Sequence, residues 1–168
     1  MITAPERGEA VEYYQGYINH AGPGDIVQQM VSGPTVELLR GISEERSLHR
    51  YAPGKWSIRE VVSHINDTER VFAQRGFWFA RGFPSELPSF DQDLAVAAAG
   101  ADARTLASHL EEFKNLRAST QALFRELPAE AWMRRGVASG NSFTVRALAY
   151  IIVGHVNHHL RVLKEKYL

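Results

Sequence analysis

The stretch SIREVVSHINDTERVFAQRGFWFARG, residues 57–82, decides how this chain folds. Ser57 is placed to cap a helix, and Glu60, three residues on, is placed to close a capping box. Ile58, Val61, Ile65, Thr68, Phe72 and Phe79 then repeat at threes and fours up to Gly82. That spacing lays one apolar stripe along a long helix. A histidine, His64, interrupts the inward half of the helix between Val61 and Ile65.

Outward from this helix, glycine and proline punctuate the chain at 22–24, 33–34, 53–54, 82–88, 128 and 136–140. The intervals between them read as further helices. One runs from an Asp25 cap to about Ile42, with Pro34 expected to kink it or to divide it into two helices. Residues 8–19 suggest a short helix in front. Another runs from about Asp102 to Leu127 on a stripe of Leu106, Leu110, Phe113, Thr120, Phe124 and Leu127, and Pro128 stops it. The last starts near Thr144 with Val145, Leu148 and Ile152 on its inward face. No stretch alternates with period two, so no strand is expected. Four long amphipathic helices predict an all-α four-helix bundle, a single domain over residues 1–168, roughly 30 Å tall for helices of 20-odd residues.

The last helix continues as GHVNHHLRVLKEKY, residues 154–167, and places His155 and His159 where the stripe calls for apolar side chains. Four residues apart, the two rings share a face, whereas His158 lies off it towards the shoulder. Two buried neutral imidazoles each bring a donor and an acceptor that need partners. A metal ion takes one lone pair from each ring, with His64 as the third ligand from a facing helix. Core histidines satisfied by hydrogen bonds are the alternative, and spacing alone leaves both open. Asp67 is a candidate to orient a ring or accept a proton, and equally reads as a solvated helix acid. Asp91 and Asp93 suggest either the border of a pocket or the cap of a following helix. Glu69 and Arg70 read as a surface pair, Trp56 as a packing staple, and Arg146 as an anion contact or an exposed side chain. His20 and His49 fall in loop-like sequence, and His109 on a solvated face.

Composition bounds the partners. Apolar residues make up 45% of the chain, and 19 basic residues balance 19 acidic ones. No basic excess exists for phosphate contacts, so neither nucleic acid nor an anionic membrane surface is expected. The chain has no cysteine, which removes disulfides and thiolate chemistry of its own and suits a reducing compartment. The N-terminal MITAPERGEAVEYY has no apolar run, and LAYIIVG is too short to span a bilayer, so a cytoplasmic protein is expected. The aromatic segment VEYYQGY, residues 11–17, suggests a homodimer.

Three stretches together, APGKWSIREVVSHINDTERVFAQR, GFPSELPSFDQD and TVRALAYIIVGHVNHHLRVL, resemble the DinB/YfiT-like superfamily from about residue 24 to 166. The resemblance implies an up-up-down-down-like four-helix bundle with a long crossover. It implies a divalent metal ion, zinc or nickel before iron or manganese, on His64, His155 and His159. It implies a small-molecule substrate: members include transferases and isomerases that use a low-molecular-weight thiol, and others described only as metal-dependent hydrolases. A non-catalytic metal-binding stress protein is the other reading. The Gly33-Pro34 break departs from an uninterrupted first helix.

Overall fold

The structure, a computed structural model, describes residues 2–168. The capping box forms as the sequence dictates. Ser57 Oγ accepts from the Glu60 N–H at 3.0 Å, and Glu60 Oε2 accepts from the Ser57 N–H at 2.8 Å. The helix it starts, α4, spans Ile58–Ala80. Before it come three short helices: α1 (Gln15–His20), α2 (Ile26–Gln29) and α3 (Gly33–Arg40). After it come α5 (Gln92–Ala99), α6 (Leu106–Arg125) and α7 (Val145–Lys166). Thr105 caps α6 and Thr144 caps α7, each hydroxyl accepting an N–H three residues on, at 3.1 and 3.0 Å.

Four long bodies result, and the molecule is a four-helix bundle. The first body is the broken arm α1–α3, and the others are α4, α6 and α7. Their directions follow from who meets whom. Along α4, Asn66 reaches the His109 carbonyl, Glu69 meets Arg117, and a Cβ at Gly76 would strike Phe124, so α4 and α6 run parallel. Trp56 meets Tyr167 and His64 meets His155, so α4 and α7 run antiparallel. Tyr17 lies on His155 and the His20 carbonyl accepts from Asn157, so α1 runs with α7. The order is therefore up-down-down-up, not the expected up-up-down-down. A parallel α4–α6 pair needs its connection to return the full height of the bundle. Residues 81–105 are that crossover, and they carry α5.

Several local expectations are corrected. The first arm is not one kinked helix but takes the other expected form, two shorter helices: residues 30–32 separate α2 from α3, and Pro34 sits in the first turn of α3, where its missing N–H costs nothing. In the 8–19 segment a 3-10 turn, Glu12–Tyr14, leads into α1, which continues to His20. The start of α6 is Leu106, because Asp102 is engaged elsewhere: its carboxylate accepts from Ser57 Oγ at 2.5 Å and from Arg50 Nη2 at 2.7 Å. Strands are present after all. Arg135–Ala138 (β1) pairs antiparallel with Asn141–Thr144 (β2) in the register Arg135↔Thr144 to Ala138↔Asn141. Ser139 and Gly140, at φ 55° and 70°, form the two-residue turn that matches strand twist. The crossover docks on this hairpin through Leu87, whose N–H donates to the Val137 carbonyl at 3.0 Å.

The core is in two parts. One cluster holds Phe72, Phe79, Phe124, Trp132, Phe143 and the first half of α7, as far as Val153. The other holds Ile58 to Ile65, Leu106 to Phe113, and Val156 to Tyr167. Between them lies a polar layer: His64, Thr68 and Glu69 on α4, Arg117 and Thr120 on α6, and His155 on α7, all buried. Burying such groups costs free energy unless each finds a partner.

Candidate metal centre

The opposed stripes of α4 and α7 bring the three predicted histidines together. His64 Nε2 lies 3.0 Å from His155 Nε2, and His159 Nε2 lies 3.1 Å from the same atom. One nitrogen of each of the three rings lies within 4.8 Å of the others. His64 is 2% exposed and His155 6%, so water does not solvate these rings freely. Burial first, and the neighbouring histidines second, hold the rings neutral: His64 is lowered to about 4, His159 to about 3, and His155 well below 6.5.

The donor set suits a cation. Each Nε2 offers either one proton or one lone pair. Three such atoms facing one another cannot all be satisfied mutually, because His155 Nε2 has a single valence to share between two neighbours. Three lone pairs on one ion satisfy all of them. Bonds of roughly 2.0–2.1 Å in a tetrahedral site set neighbouring nitrogens a little over 3 Å apart, close to the spacing found. With Nε2 facing inward, the other nitrogen of His64 points to Thr68 Oγ1, 3.5 Å away and one turn along α4.

Aromatic rings wall the histidines. Trp56 packs on His64 with centroids 4.9 Å apart, and its carbonyl accepts from the Tyr167 hydroxyl at 2.8 Å. Trp56 is thus a packing residue, as expected, and also a wall of the site. Tyr17 covers His155 at 5.3 Å. Its close seat on α7 depends on Gly154: a Cβ there would lie 1.7 Å from the Tyr17 carbonyl oxygen. His158 is off the cluster, edge-on to Tyr17 at 5.4 Å and near the His20 ring at 5.6 Å.

A cavity of about 290 Å³ opens on His64 and His155 and is lined further by Tyr14, Tyr17, Thr68 and Arg75. A second, of about 320 Å³, borders His159 and His158 from the Trp56 and Asp93 side. Asp93 therefore borders a pocket, while Asp91 caps α5, accepting from the N–H groups of Asp93 and Leu94 at 3.0 Å each. Asp67 lines neither cavity and accepts from Arg70 at 3.2 Å. Arg146 is not a free anion contact, since it is paired with the buried Glu9.

Two surface expectations fail. Glu69 is buried and meets Arg117 at 2.7 Å, leaving Arg70 to pair with Asp67 and Glu112. His109 is wholly buried, and its Nε2 donates to the Ala101 carbonyl at 2.9 Å. The cavity residues Tyr17, Thr68 and Arg75 were not assigned to the site from the sequence, where Thr68 was read as part of the stripe and Tyr17 as part of an aromatic segment. Thr68 and Arg75 share a helical face with His64 at spacings of 4 and 11, which is a usable signal. Tyr17 comes from a six-residue helix with no stripe, and nothing local marks it.

Comparison with known proteins agrees with the fold. Among solved structures, YfiT from Bacillus subtilis superposes with a TM-score of 0.73 at 17% identity, over 97% of this chain and 90% of that one. It is described as a probable metal-dependent hydrolase with an unusual four-helix bundle topology. At that identity the likeness is one of fold. No curated protein matches by sequence. A model of the DinB superfamily matches residues 33–163, a span that holds α3 to α6, α7 up to its last three residues, and all three clustered histidines. The motif resemblance and this match agree, and the chain belongs to the DinB superfamily.

Proposed function

We propose that His64, His155 and His159 hold one divalent metal ion, zinc or nickel, and that the protein is a metal-dependent hydrolase of a small molecule. The observation that carries the reading is the convergence of three neutral imidazoles, two buried and His159 half-buried, on one point beside a cavity. Three protein ligands leave a coordination position open, the arrangement of catalytic rather than structural sites. Bound there, the ion supplies Lewis acidity and lowers the pKa of a water in its open position. Imidazole ligands suit zinc and nickel better than magnesium or calcium. The description of YfiT as a probable metal-dependent hydrolase supports the same class.

The chain's own residues shape what reaches the site. Trp56 and Tyr17 shield the rings from bulk water. Burial, with Tyr13 alongside, pushes the Tyr17 phenol up to about 12, so it remains a proton donor at neutral pH. The cavity is polar enough to hold a substrate's hydrogen-bonding groups, because Thr68, Arg75 and Ser139 line it. A site serving only to stabilise the bundle would need no such lining.

The test is turnover. Protein reconstituted with zinc or nickel is assayed on chromogenic esters, amides and phosphoesters. Metal-dependent hydrolysis of one class is expected, falling roughly 100-fold or more on chelation and in His155→Ala. Hydrolysis indifferent to both treatments, or none on any class, contradicts the reading.

A further inference from the structure

Among the described residues three arginines are buried: Arg59 at 8% exposure, Arg75 at 3% and Arg117 at 2%. Two of them meet a carboxylate. Arg59 pairs with Glu44 at 2.7 Å and Arg117 with Glu69 at 2.7 Å. Among the described residues Arg75 pairs with none. Its Nη2 donates to the Pro88 carbonyl at 3.3 Å and to Ser139 Oγ at 3.0 Å, both uncharged. A buried cation without a counter-charge is costly, and an anion brought into the cavity would lower that cost.

Arg75 lines the same cavity as His64 and His155. Helix geometry tells which way its head leans. Side chains on a helix tilt towards its N-terminus, and the Arg75 guanidinium lies over the Phe72 ring, 5.1 Å from its centroid and one turn back towards His64. His64, Thr68, Phe72 and Arg75 all line the cavity from α4, so the cavity runs along one face of that helix. From Arg75 to His64 is roughly 16 Å of helix rise, less the turn by which the arginine reaches back.

We propose that Arg75 is an anion-recognition residue of this cavity and takes the carboxylate of a small organic acid whose other end lies at the histidines. The assignment rests on the hydrolase reading only for calling that acid a substrate. A monocarboxylate fits better than a phosphate dianion, because among the described residues Arg75 is the one fully charged side chain lining the cavity. The guanidinium fork matches a carboxylate in two parallel hydrogen bonds. Tyr13, Tyr14, Phe72 and Phe90 supply aromatic walls for an apolar body, and about 290 Å³ limits the ligand to a small one. The hairpin and the crossover have a part here. Ser139 comes from the β1–β2 turn and Pro88 from the crossover, and together they hold Nη2, with the uncharged Tyr14 phenol beside the guanidinium, so that no partner of Arg75 carries a negative charge.

The probes are benzoate and its uncharged counterpart benzyl alcohol, titrated by calorimetry into zinc-reconstituted protein. Wild type is expected to bind benzoate at least roughly tenfold more tightly than benzyl alcohol. Arg75→Met should abolish that preference, and Arg75→Lys should keep part of it. In case Arg75→Met does not fold, the Arg75 Nε–H resonance of wild type, identified by its loss in Arg75→Lys, is followed by NMR. It should shift saturably with the calorimetric midpoint. The proposal is overturned by an absence of saturable benzoate binding, by a preference that persists in Arg75→Met, or by a resonance that stays still at saturation. Protein that retains no zinc would sink the metal reading alone. The same titration of that metal-free sample then decides the role of Arg75, by the same outcomes.

Discussion

Glu69 shows how much one side chain inside this bundle matters. Its carboxylate and the Arg117 guanidinium meet at 2.7 Å, with side chains 1% and 2% exposed, in the polar layer that also holds His155. Burial pushes the Glu69 carboxyl up, and Arg117 opposes it. Removing one member of such a pair strands the other. Glu69→Ala is expected to cost roughly 3–5 kcal/mol in urea unfolding, whereas Glu69→Leu combined with Arg117→Met should recover most of that loss. Additive losses in the double variant would show that the pair is not coupled. The burial was legible in principle. Glu69 stands four residues after Ile65 and three before Phe72, and Arg117 four after Phe113 and three before Thr120, so each continues its stripe. His109, between Leu106 and Phe113, does the same. Charge and polarity hid all three, because a stripe is counted by its apolar members. The histidines escaped this fate for a chemical reason: imidazoles on a stripe suggest a ligand, whereas a lone acid suggests solvent.

At the scale of the element, local signals read well and remote ones poorly. The capping box at Ser57 and Glu60 was legible because its hydrogen bonds lie within four residues. Ser57→Ala is expected to destabilise the protein by about 1 kcal/mol for the cap itself, and by more because Ser57 Oγ also donates to Asp102. The β1–β2 hairpin was not legible. Its strands RGVA and NSFT are too short to show alternation, and their pairing is stabilised by Phe79 beneath Gly136 and by the crossover beside them. Helix α5 was legible only at its cap, as one reading of Asp91 and Asp93: in QDLAVAAA only Val96 is buried, so the helix itself carries no stripe. The α1–α7 contact depends on Gly154. Gly154→Ala is expected to force the helices apart, at a cost of roughly 1–3 kcal/mol, and to lower the thermal midpoint by about 2–4 °C for each kcal/mol. Gly16→Ala on α1, where nothing lies within 4 Å, is the control and should not destabilise. Equal midpoints for the two variants would contradict this packing.

Over the whole molecule, the polar layer couples stability to protons and, with the proposed ion bound, to metal. His64 and His159 are held neutral, at about 4 and about 3, against 6.5 for a free ring. Above pH 6.5 both the folded and the unfolded chain leave these rings neutral. Below it the unfolded chain binds protons that the folded one refuses, so stability falls as pH drops from about 6.5 towards about 4. For metal-free protein the slope should be on the order of 1 kcal/mol per pH unit for each ring. A denaturation midpoint that does not change between pH 7 and 5 would contradict it. Metal held as proposed should act in the opposite sense, because it would bind the neutral rings of the folded state and tie α4 to α7. At a hundredfold excess over its dissociation constant it should add about 2.7 kcal/mol, and chelation should remove it. The bundle itself was legible from four stripes and their caps. Its up-down-down-up order was not, because helix directions are set by contacts between elements far apart in sequence.

The most direct measurement is the metal content of purified, reconstituted protein, taken for wild type beside His64→Ala, His155→Ala, His159→Ala and His158→Ala. Wild type and His158→Ala should each carry about one divalent ion per chain, and the other three far less. A wild type that holds no ion, or a His155→Ala protein loaded as fully as wild type, would contradict a metal centre at these three rings.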